Sequence, residues 1–382
     1  MSSTTTISIA DYMDRLNDVV TEGIAPGAVE IDTTGAFPRA GMDALGTAGL
    51  LGLISAEEVG GLGGGHREAA MAVERVAQAC ASTAMVLCMH YAGTAVIEAL
   101  GPRDVREAIA AGKHLTTLAF SEAGSRSHFW APVGTATGVD SGETVKLDAR
   151  KSWATSSGHA DSYVWSSKPI AAEGASTIWL VPSKAEGLRI IAPFNGLGMR
   201  GNNSSPVTAE GVIVPAANML GADGGGFDVM MGVVLPYFQL MNAACSIGIM
   251  TAAVSNTAAH AGGTKYEYIG TALNDLPTIR AYIARIRIKT DMVRALLLDT
   301  LNALETGRDD TMLRVLEIKA AAGEAATEVT DIAMRVCGGA AFRKELGIER
   351  NFRDARAATV MAPTTDVLYD FIGKAVTGLP LF

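Results

Sequence analysis

Apolar positions along this chain change their period twice. From 67 to 100 they recur at three- and four-residue spacing, through Ala70, Val73, Val76, Ala77 and Cys80 and then Met85, Cys88, Met89 and Ala92. That spacing predicts helix, and Gly101-Pro102-Arg103-Asp104 interrupts it. Between 115 and 220 the period shortens. Residues 144–147, 162–165, 177–181 and 188–191 are β-prone runs separated by Gly, Ser, Asp and Pro turns, which predicts a compact antiparallel module. Long helical periods then return over about 223–262, 276–305, 311–337 and 364–377. Residues 7–54 read as short helices that include the apolar turn Gly49-Leu50-Leu51-Gly52-Leu53. The expected fold is mostly α with a central antiparallel β module. It comprises an N-terminal helical domain over 1–114, a β-barrel-like middle domain over 115–221 and a C-terminal four-helix bundle over 222–382.

Composition narrows the class. With 382 residues, 48% apolar and 19% charged, the chain can bury a large core, which argues against global disorder. A net charge of -9 without a Lys/Arg cluster argues against nucleic acid or an anionic membrane as partner. Cys80, Cys88, Cys245 and Cys337 sit in apolar helical contexts without a Cys-x-x-Cys or a nearby His pair. They read as buried free thiols in a reducing cytoplasm, with neither disulfides nor metal expected. Residues 1–6 lack the basic and apolar regions of a signal peptide. The apolar run 231–254 is broken by Pro236, Gln239, Asn242 and Ser246, so it reads as a core helix, not a membrane span.

Candidate chemistry gathers between 115 and 165. Two short pieces, Phe120-Ser121-Glu122-Ala123-Gly124-Ser125-Arg126-Ser127-His128 and Lys151-Ser152-Trp153-Ala154-Thr155, each place small hydroxyl residues beside an aromatic ring. Small residues admit a planar ligand, hydroxyls bond its heteroatoms, and Trp153 offers a stacking wall. Either piece alone also reads as a turn or a core Trp; the pair favours a site. The glycine-dense stretch Glu57-Glu58-Val59-Gly60-Gly61-Leu62-Gly63-Gly64-Gly65 is open to two readings, a plain connection or a phosphate cradle, although no Gly-Lys-Ser/Thr follows. His90 lies on a helix, either packed or facing a pocket.

This order of elements, with these motifs inside it, resembles the acyl-CoA dehydrogenase family across nearly the whole chain. Ser121-Glu122-Ala123-Gly124-Ser125-Arg126-Ser127 is similar to that family's Thr-Glu-Pro-x-Ala-Gly-Ser signature, and Lys151-Ser152-Trp153-Ala154-Thr155 to its Lys-x-Trp-Ile-Thr strand. Cys337-Gly338-Gly339 and Glu349-Arg350-Asn351-Phe352-Arg353-Asp354 resemble its Gly-Gly helix end and Glu-Arg-x-x-Arg-Asp run. The resemblance implies FAD as cofactor and assembly into a homotetramer or homodimer. Carried over residue by residue, it implies that Phe120, Ser121, Ser127, Trp153, Thr155, Thr364 and Asp366 approach the flavin. Gly338 and Gly339 would let a neighbouring subunit's backbone reach the pyrophosphate.

The chain also departs from the family. The Glu that removes the substrate's α proton is replaced by Ala362, and the alternative position on the first bundle helix holds Phe238, followed by Gln239. Neither Ala nor Phe accepts a proton. Tyr266 stands where an Arg usually meets the pyrophosphate, so Arg335 or Lys265 becomes the candidate replacement. Asp366 is the nearest acid after Ala362 and is the candidate base, although an acid at a helix start also serves as a first-turn residue. His128 replaces the acid usual after the signature Ser and is the candidate proton shuttle. Arg126 either pairs structurally with Glu122 or meets a substrate anion. His159 reads as a loop residue.

Three functions follow from this reading. One is an FAD-dependent oxidoreductase on an acyl-CoA or similar thioester, with an electron-transfer flavoprotein or dioxygen as acceptor. The second is a flavin monooxygenase or oxidase on the same fold, which needs no such base. The third is a non-catalytic flavoprotein or assembly subunit.

Overall fold

In the computed structural model, which describes residues 9–381, the most apolar segments become the innermost helices. Six helices precede the sheets: α1 (Tyr12–Asp18), α2 (Ala28–Thr34), α3 (Arg39–Thr47), α4 (His66–Ala77), α5 (Ala81–Leu100) and α6 (Arg103–Ala110). Apolar residues surround α5 on every side, so it can only be a core element. Seven more described helices follow the sheets: α7 (Gly226–Val229), α8 (Leu235–Gly263), α9 (Pro277–Thr306), α10 (Thr311–Cys337), α11 (Ile348–Ala355), α12 (Ala357–Val360) and α13 (Thr365–Thr377). Helix α8 is apolar all round, like α5, whereas α9 buries Ile286, Thr290, Val293, Leu297 and Leu301 on one stripe. Helix α10 packs against α8, α9 and α13, while α4 and α5 pack against α8. The N-terminal and C-terminal helices therefore share one apolar core.

Two helices, Ala81–Leu100 and Gly226–Gly263, are long and apolar enough to cross a membrane, yet both lie mostly buried in this core. All four cysteines are buried free thiols. The signal-peptide reading of residues 1–6 lies outside the described residues.

Between the helical parts, seven strands form two sheets. β1 (Thr116–Ala119), β4 (Ser162–Ser167) and β5 (Thr177–Pro182) make the smaller sheet in the order β1-β4-β5. β2 (Thr135–Val139), β3 (Thr144–Ala154), β7 (Ser205–Pro215) and β6 (Leu188–Ile190) make the larger, in the order β2-β3-β7-β6. The larger sheet is antiparallel throughout. The smaller one is antiparallel between β4 and β5, while β1 pairs parallel to β4, Thr116 opposite Ser162, one parallel pair within the antiparallel module that the sequence predicts. The β2–β3 hairpin intervenes between them, and such a long excursion is what a parallel pair requires. Val145, Leu147, Tyr163, Trp165, Trp179 and Val212 fill a second apolar core between the sheets. A two-residue ribbon, β8 (Lys265–Tyr266) with β9 (Thr271–Ala272), precedes α9.

One irregularity in β3 has large consequences. Lys151 pairs with Val207 and Ala154 with Ser205, so β3 carries one extra residue at Ser152-Trp153. A bulge reverses the alternation of side chains. Without it Trp153 would share the inward face of Lys151; with it Ala154 turns inward and Trp153 outward.

The preceding Lys151 is fully buried. Its Nζ donates to Glu122 Oε1 at 2.6 Å and to the backbone oxygen and Oγ of Ser166 at 2.7 and 3.0 Å. Glu122 Oε2 accepts from the Val133 and Gly134 amides at 2.7 and 2.8 Å. Burial pushes the Lys151 ammonium down to about 8, against the opposing pull of Glu122. Removing one partner of a buried ion pair strands the other charge. Lys151→Met is therefore expected to lower stability by about 3–5 kcal/mol in urea denaturation. A loss below about 1 kcal/mol would mean that the pair behaves like a surface one.

Candidate functional site

A cavity of about 730 Å³ opens where β1, the bulged end of β3, the loop 194–204 and the helices α5, α8, α11 and α12 meet. Trp153 stands on its wall, 61% exposed, with Phe194 edge-on at 6.4 Å. An exposed indole facing a cavity is unusual unless something stacks on it. Around it lie the hydroxyls of Ser121, Ser127, Thr155, Ser204 and Thr364. Thr155 Oγ1 and Ser204 Oγ share a hydrogen bond of 3.0 Å across β3 and the segment before β7. Ser127 Oγ accepts the Thr364 amide at 2.9 Å, which ties the signature loop to the entry of α13.

The opposite side is apolar: Met85 and Met89 from α5, Val234 and Phe238 at the head of α8, and Met361 and Ala362 before α13. The loop carrying Phe194 to Met199 is pressed onto α11. A Cβ at Gly198 would lie 2.4 Å from the Arg353 carbonyl oxygen, so only glycine permits that approach. Arg353 Nη1 donates to Leu197 O at 3.1 Å, and its guanidinium grips Asp32 of α2 at 2.6 Å. The buried Asp354 carboxylate accepts the Met199 amide; burial is the largest influence on it and pushes it up to about 6.

Of the residues singled out from sequence, Phe120, Ser121, Ser127, Trp153, Thr155 and Thr364 come together on this one cavity. Others do not join them. Asp366 is exposed on α13, whose buried side is Thr365, Leu368 and Phe371, and does not line the cavity. His128 is exposed and off the cavity wall, its ring at right angles to Trp130, because a turn closes from Ser125 O to the His128 amide. Arg335 also points outward from α10, lying over the Tyr282 ring at 4.9 Å. Lys265 is exposed on β8. Gly338 and Gly339 lie exposed at the end of α10, with open space around them.

One further expectation changes, and two open readings are decided. Glu122 bonds Lys151, not Arg126, which leaves Arg126 on the cavity wall in a left-handed conformation with φ of 39°. His90 is fully buried, joining Leu51 O and the Thr116 amide, and burial pushes its imidazole down to about 4. The glycine-dense loop packs back on Ser55, since a Cβ at Gly61 would lie 2.1 Å from the Ser55 carbonyl oxygen. Phe194, Arg353 and Arg356 are wall residues that sequence reasoning did not assign. Only Arg353 carried a signal, inside its Glu-Arg-x-x-Arg-Asp run.

Chemically, the cavity offers a flat apolar face, a ring of hydroxyl donors and a single wall carboxylate, Glu122, already committed to three donors. That donor set fits a planar heterocycle such as a flavin ring, and the volume suits one. Among the described residues no second carboxylate lines it.

Comparison with other proteins agrees with this construction. The family model "Acyl-CoA dehydrogenase, N-terminal domain" matches residues 10–112, and "Acyl-CoA dehydrogenase, C-terminal domain" matches 224–377. The chain is similar to a probable acyl-CoA dehydrogenase, YngJ, of Bacillus subtilis (strain 168), 28% identical over 93% of this chain and 94% of that protein. Its fold is similar to the structure of butyryl-CoA dehydrogenase from Megasphaera elsdenii, with a TM-score of 0.89 and 23% identity over 99% of both chains. It is also similar to dibenzothiophene monooxygenase from Paenibacillus sp. A11-2, with a TM-score of 0.84 and 21% identity over 97% of this chain and 98% of that one. With both family models covering more than half its length, this chain belongs to the acyl-CoA dehydrogenase family and is an oxidoreductase of that family.

Proposed function

We propose that the cavity holds FAD and that the protein oxidises an acyl thioester, or a substrate like it, without the family's usual carboxylate base. The observation that carries this reading is the exposed Trp153 within a ring of serine and threonine hydroxyls. Bound there, FAD would supply a ring able to accept a hydride. Trp153 would stack on that ring, and Thr155, Ser121 and Ser127 would bond its polar edge. The apolar wall of Met85, Met89 and Phe238 would exclude water from an acyl chain. Exposed Gly338 and Gly339 suit contact with a second copy, in a homodimer or homotetramer. An electron-transfer flavoprotein or dioxygen would take the electrons, and four buried thiols suit the cytoplasm.

A second reading, a monooxygenase or oxidase, is favoured by Ala362. It lines the cavity, the sequence resemblance matches it to the family's Glu, and Asp366 is exposed. Chemistry that needs no α-proton base tolerates both facts.

Two experiments bear on these readings. Trp153→Ala should weaken FAD binding on the order of tenfold in a fluorescence titration of the apoprotein; unchanged affinity would remove the stacking wall from the account. Ala362→Glu should raise the rate of anaerobic flavin bleaching by an acyl-CoA panel roughly 100-fold or more, the scale of a positioned base. If neither protein bleaches with any thioester, the acyl-thioester reading fails and the oxygen-dependent one stands.

A further inference from the structure

Lys319 sits in the middle of α10, fully buried. It has no carboxylate partner among the described residues. Its ammonium donates instead to three carbonyls of one short segment: Ala358 O and Met361 O at 3.0 Å each, and Pro363 O at 2.8 Å. An ammonium has three N–H donors, so none is left over. Buried carbonyls at a helix end need a donor from elsewhere, and a charged donor holds them more tightly than a neutral one. Burial alone pushes the Lys319 ammonium down to about 7, with no charged neighbour opposing it.

The three acceptors span a wall of the cavity. Thr359, Val360, Met361, Ala362 and Thr364 all line it. The same segment is touched from two other directions. Asn242 Nδ2 of α8 reaches Met361 Sδ at 3.2 Å, and Ser127 Oγ takes the Thr364 amide. Neither contact is charged, and neither reaches Ala358 or Pro363. An apolar side chain of similar length would fill the space beside α10 without burying an ion. What it could not do is gather three carbonyls around one point.

We propose that Lys319 is a positioning residue: its ammonium draws 358–363 into the shape of the cavity wall, against which the planar ligand rests, without itself reaching the cavity. The ligand's identity as FAD rests on the function proposed above; the shape of the segment does not.

The test uses the full chain with Lys319→Met, which keeps length but no donor, and Lys319→Gln, which keeps two N–H donors. Two quantities are read at a temperature where circular dichroism shows each protein folded: amide hydrogen exchange, and the dissociation constant for FAD by fluorescence titration. In Lys319→Met, exchange should quicken roughly tenfold or more at 357–364 while α8, α9 and the rest of α10 stay protected. FAD should bind roughly tenfold more weakly, with Lys319→Gln in between. A lysine that merely fills the core would lower the melting temperature and leave both readouts of the folded protein where they were. FAD affinity within about twofold of wild type in folded Lys319→Met overturns the proposal. So does faster exchange spread evenly over the bundle, or failure of both variants to fold, which would make Lys319 a folding residue. Should the wild-type protein itself not bind FAD, the cofactor reading fails separately, and local exchange alone decides the role of Lys319.

Discussion

The Glu122 carboxylate is shared between one ammonium and two backbone amides, and the near side of the cavity depends on that arrangement. Lys151 brings β3 to the carboxylate, while Val133 and Gly134 bring the far end of the signature loop. The loop can then leave β1, pass Ser121 and Ser127 along the cavity, and return with only one 3-10 turn, Ala123–Ser125, of its own. Two residues beyond Lys151, the bulge swings Trp153 out of the sheet. A buried ion pair is seldom a gain in stability over an apolar pair. Its use here is geometric, because it fixes a strand and a loop to each other beside the ring that faces the ligand.

The far side is built on the same principle from different parts. Arg353 clasps Asp32 and Glu349, and Asp354 takes the Met199 amide, so the 194–199 loop lies flat against α11. Both walls thus include irregular chain held by buried or half-buried charge, while α5 and α8 supply the apolar end. In a cavity divided this way, the apolar end can vary while the polar clamps keep the facing walls in place.

Much of the fold was legible in the sequence, and the reasons are particular. Helices α9, α10 and α13 declare themselves because long apolar periods end at Gly, Pro or Asp, and the expected bounds lie within a few residues of those found, whereas the expected helix over 223–262 divides into α7, a π turn over Met230–Val234 and α8. Strand β7 was harder to read as a run, since Pro206 and Gly211 break its alternation and Gly211 sits at a positive φ in a second bulge. The short helices α6 and α11 have too few turns for a period to show. At the site, residues inside motifs were found, whereas Phe194 and Arg356 belong to segments whose position only tertiary packing decides. His128 and Asp366 lie exposed and off the cavity wall, because nearness along the chain to a signature Ser or to Ala362 does not say which way a turn or helix face points.

The ion pair between Asp32 and Arg353 joins residues 321 positions apart, and the cavity draws on residues from Met85 to Thr364. During synthesis, therefore, α5 and the sheets emerge from the ribosome well before the segment that completes the pocket. Until α11 and α13 arrive, Met85, Met89 and the indole of Trp153 face water or whatever else is at hand. The nascent chain is accordingly most vulnerable to non-native association along the surface that later lines this cavity.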